Sequence, residues 1–340
     1  MNRRGVFSAA AAVAVGALVA PSAARAAALP PTPTLVADPA EADREMLRWI
    51  LAHDPRAAVQ SAAQQALATD GATAFFASGF PAAASLAAQD RAAQVSHANQ
   101  TAATYPAQTH PWVNAAARRA AAGTDAELAE FVATGFAAAK AKDDAAIAYD
   151  DGAAQVTPAD RAFVKNLAAT DPIDAVRERA AEVTTDADVA EFLRHGLSSA
   201  GRLDLDGFRT LYVTDELAKW REARANTGRA VEADQAARAG TLDPFYAARA
   251  WQTLTSRSGR QPSVWDTREP FTVTRSDLWT RTGYFAEDAF PHPLWESLAG
   301  DAADLRSRWH TEIANATGRY EWWSALMYYG QVSTEYWLRG

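Results

Sequence analysis

With 340 residues, 49% of them hydrophobic and 22% charged, the chain is long enough for two domains or one elongated helical array. It contains no cysteine, which excludes disulfides, thiolate metal sites, cysteine nucleophiles and a lipoprotein anchor together. Its net charge of −8 argues against nucleic-acid partners and anionic membrane surfaces.

The first residues read as an export signal. Arg3 and Arg4 form a basic start, Val6 to Ala20 an apolar stretch, and Ala24-Arg25-Ala26 a small-x-small cleavage site. The apolar stretch is too short to span a membrane and breaks at Pro21, so no membrane insertion is expected after signal removal. NRRGVF (Asn2–Phe7) resembles a twin-arginine motif, and an ordinary secretory signal carrying two arginines stays open beside it. Cleavage after Ala26 removes three arginines and no acid, taking the net charge from −8 to −11. Residues 27–41, with LPPTPTLVADP at their centre, read as a Pro-rich linker.

A two-helix pattern then recurs three times, from Asp54, His110 and Asp171. Each copy opens at a proline (Pro55, Pro111, Pro172), whose missing N–H is harmless in a first helical turn. Asp54 and Asp171 stand where a carboxylate caps free amides. The second helix opens at Thr124-Asp125-Ala126-Glu127, a capping box, or at Thr185-Asp186-Ala187-Asp188. Leu128, Phe131 and Val132 in one copy, and Val189, Phe192 and Leu193 in the next, follow helical spacing. Gly79, Gly135 and Gly196 are placed to end these helices in left-handed caps. An upstream helix recurs as well: Ala42–Pro55 aligns without gaps on Ala159–Pro172.

The pattern TD-A-x-[LV]-A-x-F-[VL]-x-x-G, carried by Thr124–Gly135 and Thr185–Gly196, resembles the ALF repeat of secreted, mainly actinobacterial proteins. The first copy departs from it, being one residue shorter between Thr69 and Gly79, with Ala72 in the Leu128 position. The resemblance covers roughly residues 42–200. It implies export and a helical scaffold, with Leu128, Val189, Phe131 and Phe192 as packing residues, and it is silent on substrate. Such repeats also occur in exported proteins that carry a C-terminal effector.

Beyond Gly207 the spacing predicts helix over Phe208–Ala239, with a possible break at Asn226-Thr227-Gly228, and another helix from Thr241-Leu242-Asp243-Pro244 through Trp251. SRSGRQPS (Ser256–Ser263) reads as a loop, FTVT (Phe271–Thr274) as a short strand, and the stretch from Pro293 as helix interrupted near Gly300 and Gly318. Eight of the eleven tryptophans lie at or beyond Trp251, and five of their intervals equal 14 residues, close to four helical turns. An Ala-rich chain needs such bulky anchors for its core, since alanine contributes little buried volume. Exposed indoles stack instead on sugar rings or apolar ligands. For that second role the irregular segment offers Trp265, Trp279, Tyr284 and Trp295 as candidate binding residues.

No chemistry stands out elsewhere. The six histidines form no metal-ligand pair, so no metal and no cofactor is expected. LDLDG (Leu203–Gly207) fails as a calcium loop, because its essential end positions fall on Arg202 and Val213, and it reads as a turn. No spacing selects a catalytic carboxylate pair from Asp266, Glu269, Glu287, Asp288 and Glu296. The expectation is a secreted, all-α protein: stacked helical-hairpin repeats over 42–206 and a helical Trp-rich domain over 207–340. Its expected role is to bind an extracellular protein or cell-wall glycan without catalysis. The alternative is a hydrolase or toxin-like effector with its site in the Trp-rich part.

Overall fold

The computed structural model describes residues 31–289 and 292–339, and every regular element among them is helical. The signal expected over residues 1–26 lies outside the described residues. The chain enters through α1 (Thr34–Ala37) and α2 (Pro39–His53), the latter capped by Asp38, which accepts from the amides of Ala40 and Glu41. The stretch read as a linker is therefore partly folded: Leu35 is fully buried in the core beneath α2.

In the first repeat α3 (Ala57–Ala68) is followed by α4 (Ala72–Ala74), a π-helical turn over Phe75–Gly79, and α5 (Phe80–Thr104). The second repeat has α6 (Pro111–Ala122), α7 (Asp125–Glu130), a π-turn over Phe131–Gly135 and α8 (Phe136–Asp144). The third has α9 (Pro158–Thr170), α10 (Asp174–Ala181), α11 (Asp186–Glu191), a π-turn over Phe192–Gly196 and α12 (Leu197–Arg238). Three long helices complete the chain: α13 (Pro244–Ser258), α14 (Gln261–Asp288) and α15 (Glu296–Arg339).

Of the three repeat prolines only Pro111 sits in a first helical turn; α3 and α10 start two residues beyond Pro55 and Pro172, with Arg56 and Ile173 at their N-cap positions. Asp54 and Asp171 instead end α2 and α9, each accepting from the amide two residues on, Arg56 or Ile173. The two threonine caps form as their residue types dictate. Thr124 and Glu127 close a reciprocal box, and Thr185 and Asp188 close the same box with the shorter acid. The glycines behave differently from expectation. Gly79, Gly135 and Gly196 hold right-handed φ values of −64°, −62° and −61°, and each helix runs on through a π-turn. Room explains the residue choice at Gly196: a Cβ there would lie 3.0 Å from Cδ2 of Phe192, whose ring covers the glycine. The site selects for a missing side chain, not for a left-handed backbone.

The second half is also more continuous than its local residues suggest. Leu203–Gly207 and Asn226–Gly228 are internal to α12, Phe271–Thr274 to α14, and Gly300 and Gly318 to α15. The Ser256–Ser263 loop shrinks to a turn at Gly259-Arg260. Packing along both sides of these helices overrides the roughly 1 kcal/mol helix penalty of each glycine and the strand preference of Val273 and its threonines.

The expected boundary at 206/207 falls inside α12, and two cores cross it. One joins Met46, Leu47, Ile50, Phe75 and Phe76 to Tyr212, Trp220, Trp265 and Trp323. The other joins Val164, Val176, Phe192 and Leu193 of the third repeat to Trp279, Trp295, Leu305 and Trp309. The second repeat keeps a smaller core of its own around Ala117, Ala120, Leu128 and Phe131. The C-terminal helices thus clad the first and third repeats. The 14-residue tryptophan interval is the register of this cladding, placing Trp265 and Trp279 on α14 and Trp309 and Trp323 on α15, all buried.

Two buried carboxylates fasten the long helices to one another, and the second of them also reaches α2. Glu216 of α12 accepts the indole N–H of Trp265 and of Trp323, each at 2.8 Å, and pairs with Arg319. Glu312 of α15 accepts from Arg209 Nε and the Tyr212 hydroxyl, both at 2.7 Å, with His53 of α2 at 3.8 Å. Burial alone would raise the Glu312 pKa, but His53, the Arg209 charge and the Tyr212 hydroxyl outweigh it and bring it down to about 2. Trp49 of α2 extends the network by donating to Asn315 at 2.8 Å.

Glu216→Ala leaves two indole N–H groups and a guanidinium without their acceptor in the core, and is expected to cost about 3–5 kcal/mol. Urea unfolding of the purified chain measures this. Gly201→Ala places a Cβ 2.0 Å from Cζ2 of Trp279, so Trp279 or α12 must move. A loss of about 1–3 kcal/mol, seen in thermal unfolding with a changed tryptophan emission, is the expected outcome.

Candidate functional site

The structure moves three of the four residues expected to bind ligand into the interior. Trp265, Trp279 and Trp295 are 1%, 2% and 2% exposed, whereas Tyr284 is 61% exposed near the end of α14. Trp279 and Trp295 share the core built on the third repeat, and Trp265 belongs to the other core. Two of their polar edges serve the fold as well: the Trp265 indole donates to Glu216, and the Trp295 indole donates to Asp160 at 2.8 Å, inside the capping box of α9. No aromatic platform arises from this set. The physical reason is area, because an indole buried against α9 or α12 removes more apolar surface from water than one left on a loop.

An open groove of about 370 Å³ lies instead between the repeats and α12. One wall is Ala84, Ala87, Ala88 and Arg91 of α5; the other is Leu203, Asp206, Gly207 and Thr210 of α12. Both walls follow the i, i+3, i+4, i+7 spacing of a single helix face. Pro55-Arg56 and Thr124-Asp125, at the starts of repeat helices, complete the lining. The groove is open at Gly207, where an added Cβ would meet nothing within 4 Å.

Most charges lining or flanking the groove are already matched. Arg56 donates through Nε to Asp54 at 2.9 Å, and Arg91 pairs with Asp125 while donating to the Gly123 carbonyl at 2.9 Å. Glu127, just behind, receives the Ser199 hydroxyl at 2.9 Å and Arg202 at 3.1 Å. Burial raises the Glu127 pKa, but the Thr124 amide, Ser199 and Arg202 together leave it below the usual carboxylate range.

Asp206 is the exception. It has no hydrogen bond and no ion pair among the described residues. Burial in the wall, aided by the negative charges of Asp125 and Glu127, pushes its pKa to about 6 despite Arg209 and Arg308. A half-buried, unmatched carboxyl with a displaced pKa in a groove is the pattern of a group held ready for a ligand. Reading Leu203–Gly207 as a turn hid this residue. On a continuous helix Asp204 and Asp206 face apart, so Asp204 meets Arg275 at 2.8 Å while Asp206 faces the groove. The Leu203, Asp206, Gly207, Thr210 spacing would have exposed the site once α12 was known to be unbroken.

Among the described residues no cluster of three His, Asp or Glu side chains is arranged to hold a metal ion. No helix among them is long and apolar enough to cross a membrane.

Folding raises the Asp206 pKa from 3.8 to about 6, so stability falls as pH rises through that window and the loss persists above it. Asp206→Asn removes the penalty. It is expected to raise the melting temperature at pH 8 and to change it little at pH 4, as differential scanning calorimetry at the two pH values will show.

Compared with protein-family models, curated proteins and solved structures, the chain matches none of them.

Proposed function

We propose that this chain is an exported, non-enzymatic binding scaffold of the ALF-repeat type, and that its groove takes a cationic side chain from an extracellular protein. Asp206 carries the reading. The arginines nearest to it, Arg209 and Arg308, are paired with Glu312 and Asp304, so an inserted Lys or Arg side chain is the source of a direct partner for it. The size of the groove suits one or two side chains against its alanine wall. The paired Arg56 and Arg91 leave Asp206 as the unmatched charge of the lining. A glycan partner bound by stacking loses its support, because the indoles required for it lie in the core.

A secreted hydrolase is the second reading, favoured by the same displaced pKa, since a carboxyl titrating near 6 suits proton transfer at neutral pH.

Fluorescence polarisation with labelled Lys/Arg-containing peptides, against Glu-containing controls, separates the outcomes. Binding is expected to favour the basic peptides, to weaken as pH falls from 7.5 to 5, and to drop at least about tenfold in Asp206→Asn, the loss expected for a charge-assisted contact of about 1.5–3 kcal/mol. Equal binding by Asp206→Asn, or no preference for basic peptides, sinks the scaffold reading. Peptide or polymer cleavage that disappears in Asp206→Asn establishes the hydrolase.

A further inference from the structure

We infer that a second, oppositely charged site lies between α12 and α13 and binds a phosphate-type oxyanion. A pocket of about 170 Å³ opens there, lined by Asn226, Arg229, Arg249, Ala250 and Thr253. Neither arginine has a carboxylate partner among the described residues, although acids outnumber basic residues in the chain by 41 to 33. Most of the other arginines within the described body are matched, as the pairs of Arg56, Arg91, Arg209 and Arg319 illustrate. α13 carries Arg249 and Arg257 and no acid at all over its 15 residues.

The buried member of the pocket completes the argument. Asn226 is only 4% exposed, and its Oδ1 is occupied by Arg229, leaving the amide Nδ2 as a donor without a partner. The Thr253 hydroxyl is spent on its own helix, donating to the Arg249 carbonyl at 2.8 Å. The pocket therefore offers two guanidinium groups and one amide N–H₂, all donors, from two different helices. Donors without acceptors call for an anion, and guanidinium groups match the oxygens of phosphate and carboxylate by paired hydrogen bonds. Three separate donor groups suit a tetrahedral ion with several oxygens better than a carboxylate with two. The site is independent of Asp206 and of the groove, sharing no residue with it.

The test is isothermal titration calorimetry of the purified chain with inorganic phosphate at low ionic strength, with glycerol phosphate, sulfate and acetate in parallel. Saturable phosphate binding is expected, weaker with acetate, and lost by at least about tenfold in Arg229→Gln and in Arg249→Gln. Both side chains are exposed, so unchanged melting temperatures show that the variants still fold. Asp206→Asn is expected to bind phosphate normally. Equal binding of glycerol phosphate assigns the pocket to the phosphoryl group of a larger molecule, and binding of the free ion alone assigns it to the ion. The inference is overturned if the unaltered chain shows no saturable phosphate binding, if acetate binds as tightly, or if Arg229→Gln and Arg249→Gln bind phosphate undiminished.

Discussion

The fold depends on one buried carboxylate, Glu216, and on what surrounds it. A charge taken out of water costs several kcal/mol unless every lone pair finds a donor. Glu216 finds them in α14 through Trp265 and in α15 through Trp323 and Arg319. The position of each of these helices relative to α12 is thereby specified by direction, which apolar contact alone does not do. Glu312 repeats the device one level along, from α15 back to Arg209 and Tyr212 of α12, and reaches α2 through His53. In a protein whose core is rich in alanine and has no disulfide, such directional contacts supply the uniqueness that bulkier side chains would otherwise give.

The same arrangement dissolves the division into a repeat scaffold and a separate domain. α12 begins as the continuation of the third repeat and becomes the central helix of the C-terminal half. One of its faces packs on Trp279 and Trp309, another carries Glu216 into the core, and a third forms a groove wall with Asp206. The groove and the cladding are therefore consequences of one helix meeting three neighbours. Both proposed ligand sites sit on it, the acidic one near its start and the basic one a few turns on.

How much of this was legible in the sequence depended on range. Helical class, the start of α6 at Pro111 and the Thr124–Glu127 box follow from neighbours within four residues, and those expectations stand in the structure. The 14-residue tryptophan interval also carried real information, as the stripe of two long helices. Where each indole points was not legible, because the partners of Trp265 and Trp295 lie 49 and 135 residues away. Glycines misled in the same manner. Gly207, Gly228, Gly300 and Gly318 look like breaks locally, yet long-range packing carries the helices through them. Asp206 was lost with Gly207 for that reason.

The π-turns have a further effect on the molecule, one of angular phase. Each residue advances an α-helix by about 100°, and a π-turn absorbs one extra residue within its wider loop. The five residues Phe192–Gly196 thus act as a rotary offset between α11 and all of α12. Upstream of the offset Val189 points into the third repeat's core; downstream, Asp206, Tyr212 and Glu216 point at the groove, at Glu312 and at Trp265. Taking one residue out of that turn leaves every downstream side chain intact but turns the whole set by about a quarter of a revolution. The aim of a carboxylate twenty residues along the helix is set at a glycine lying under a phenylalanine ring.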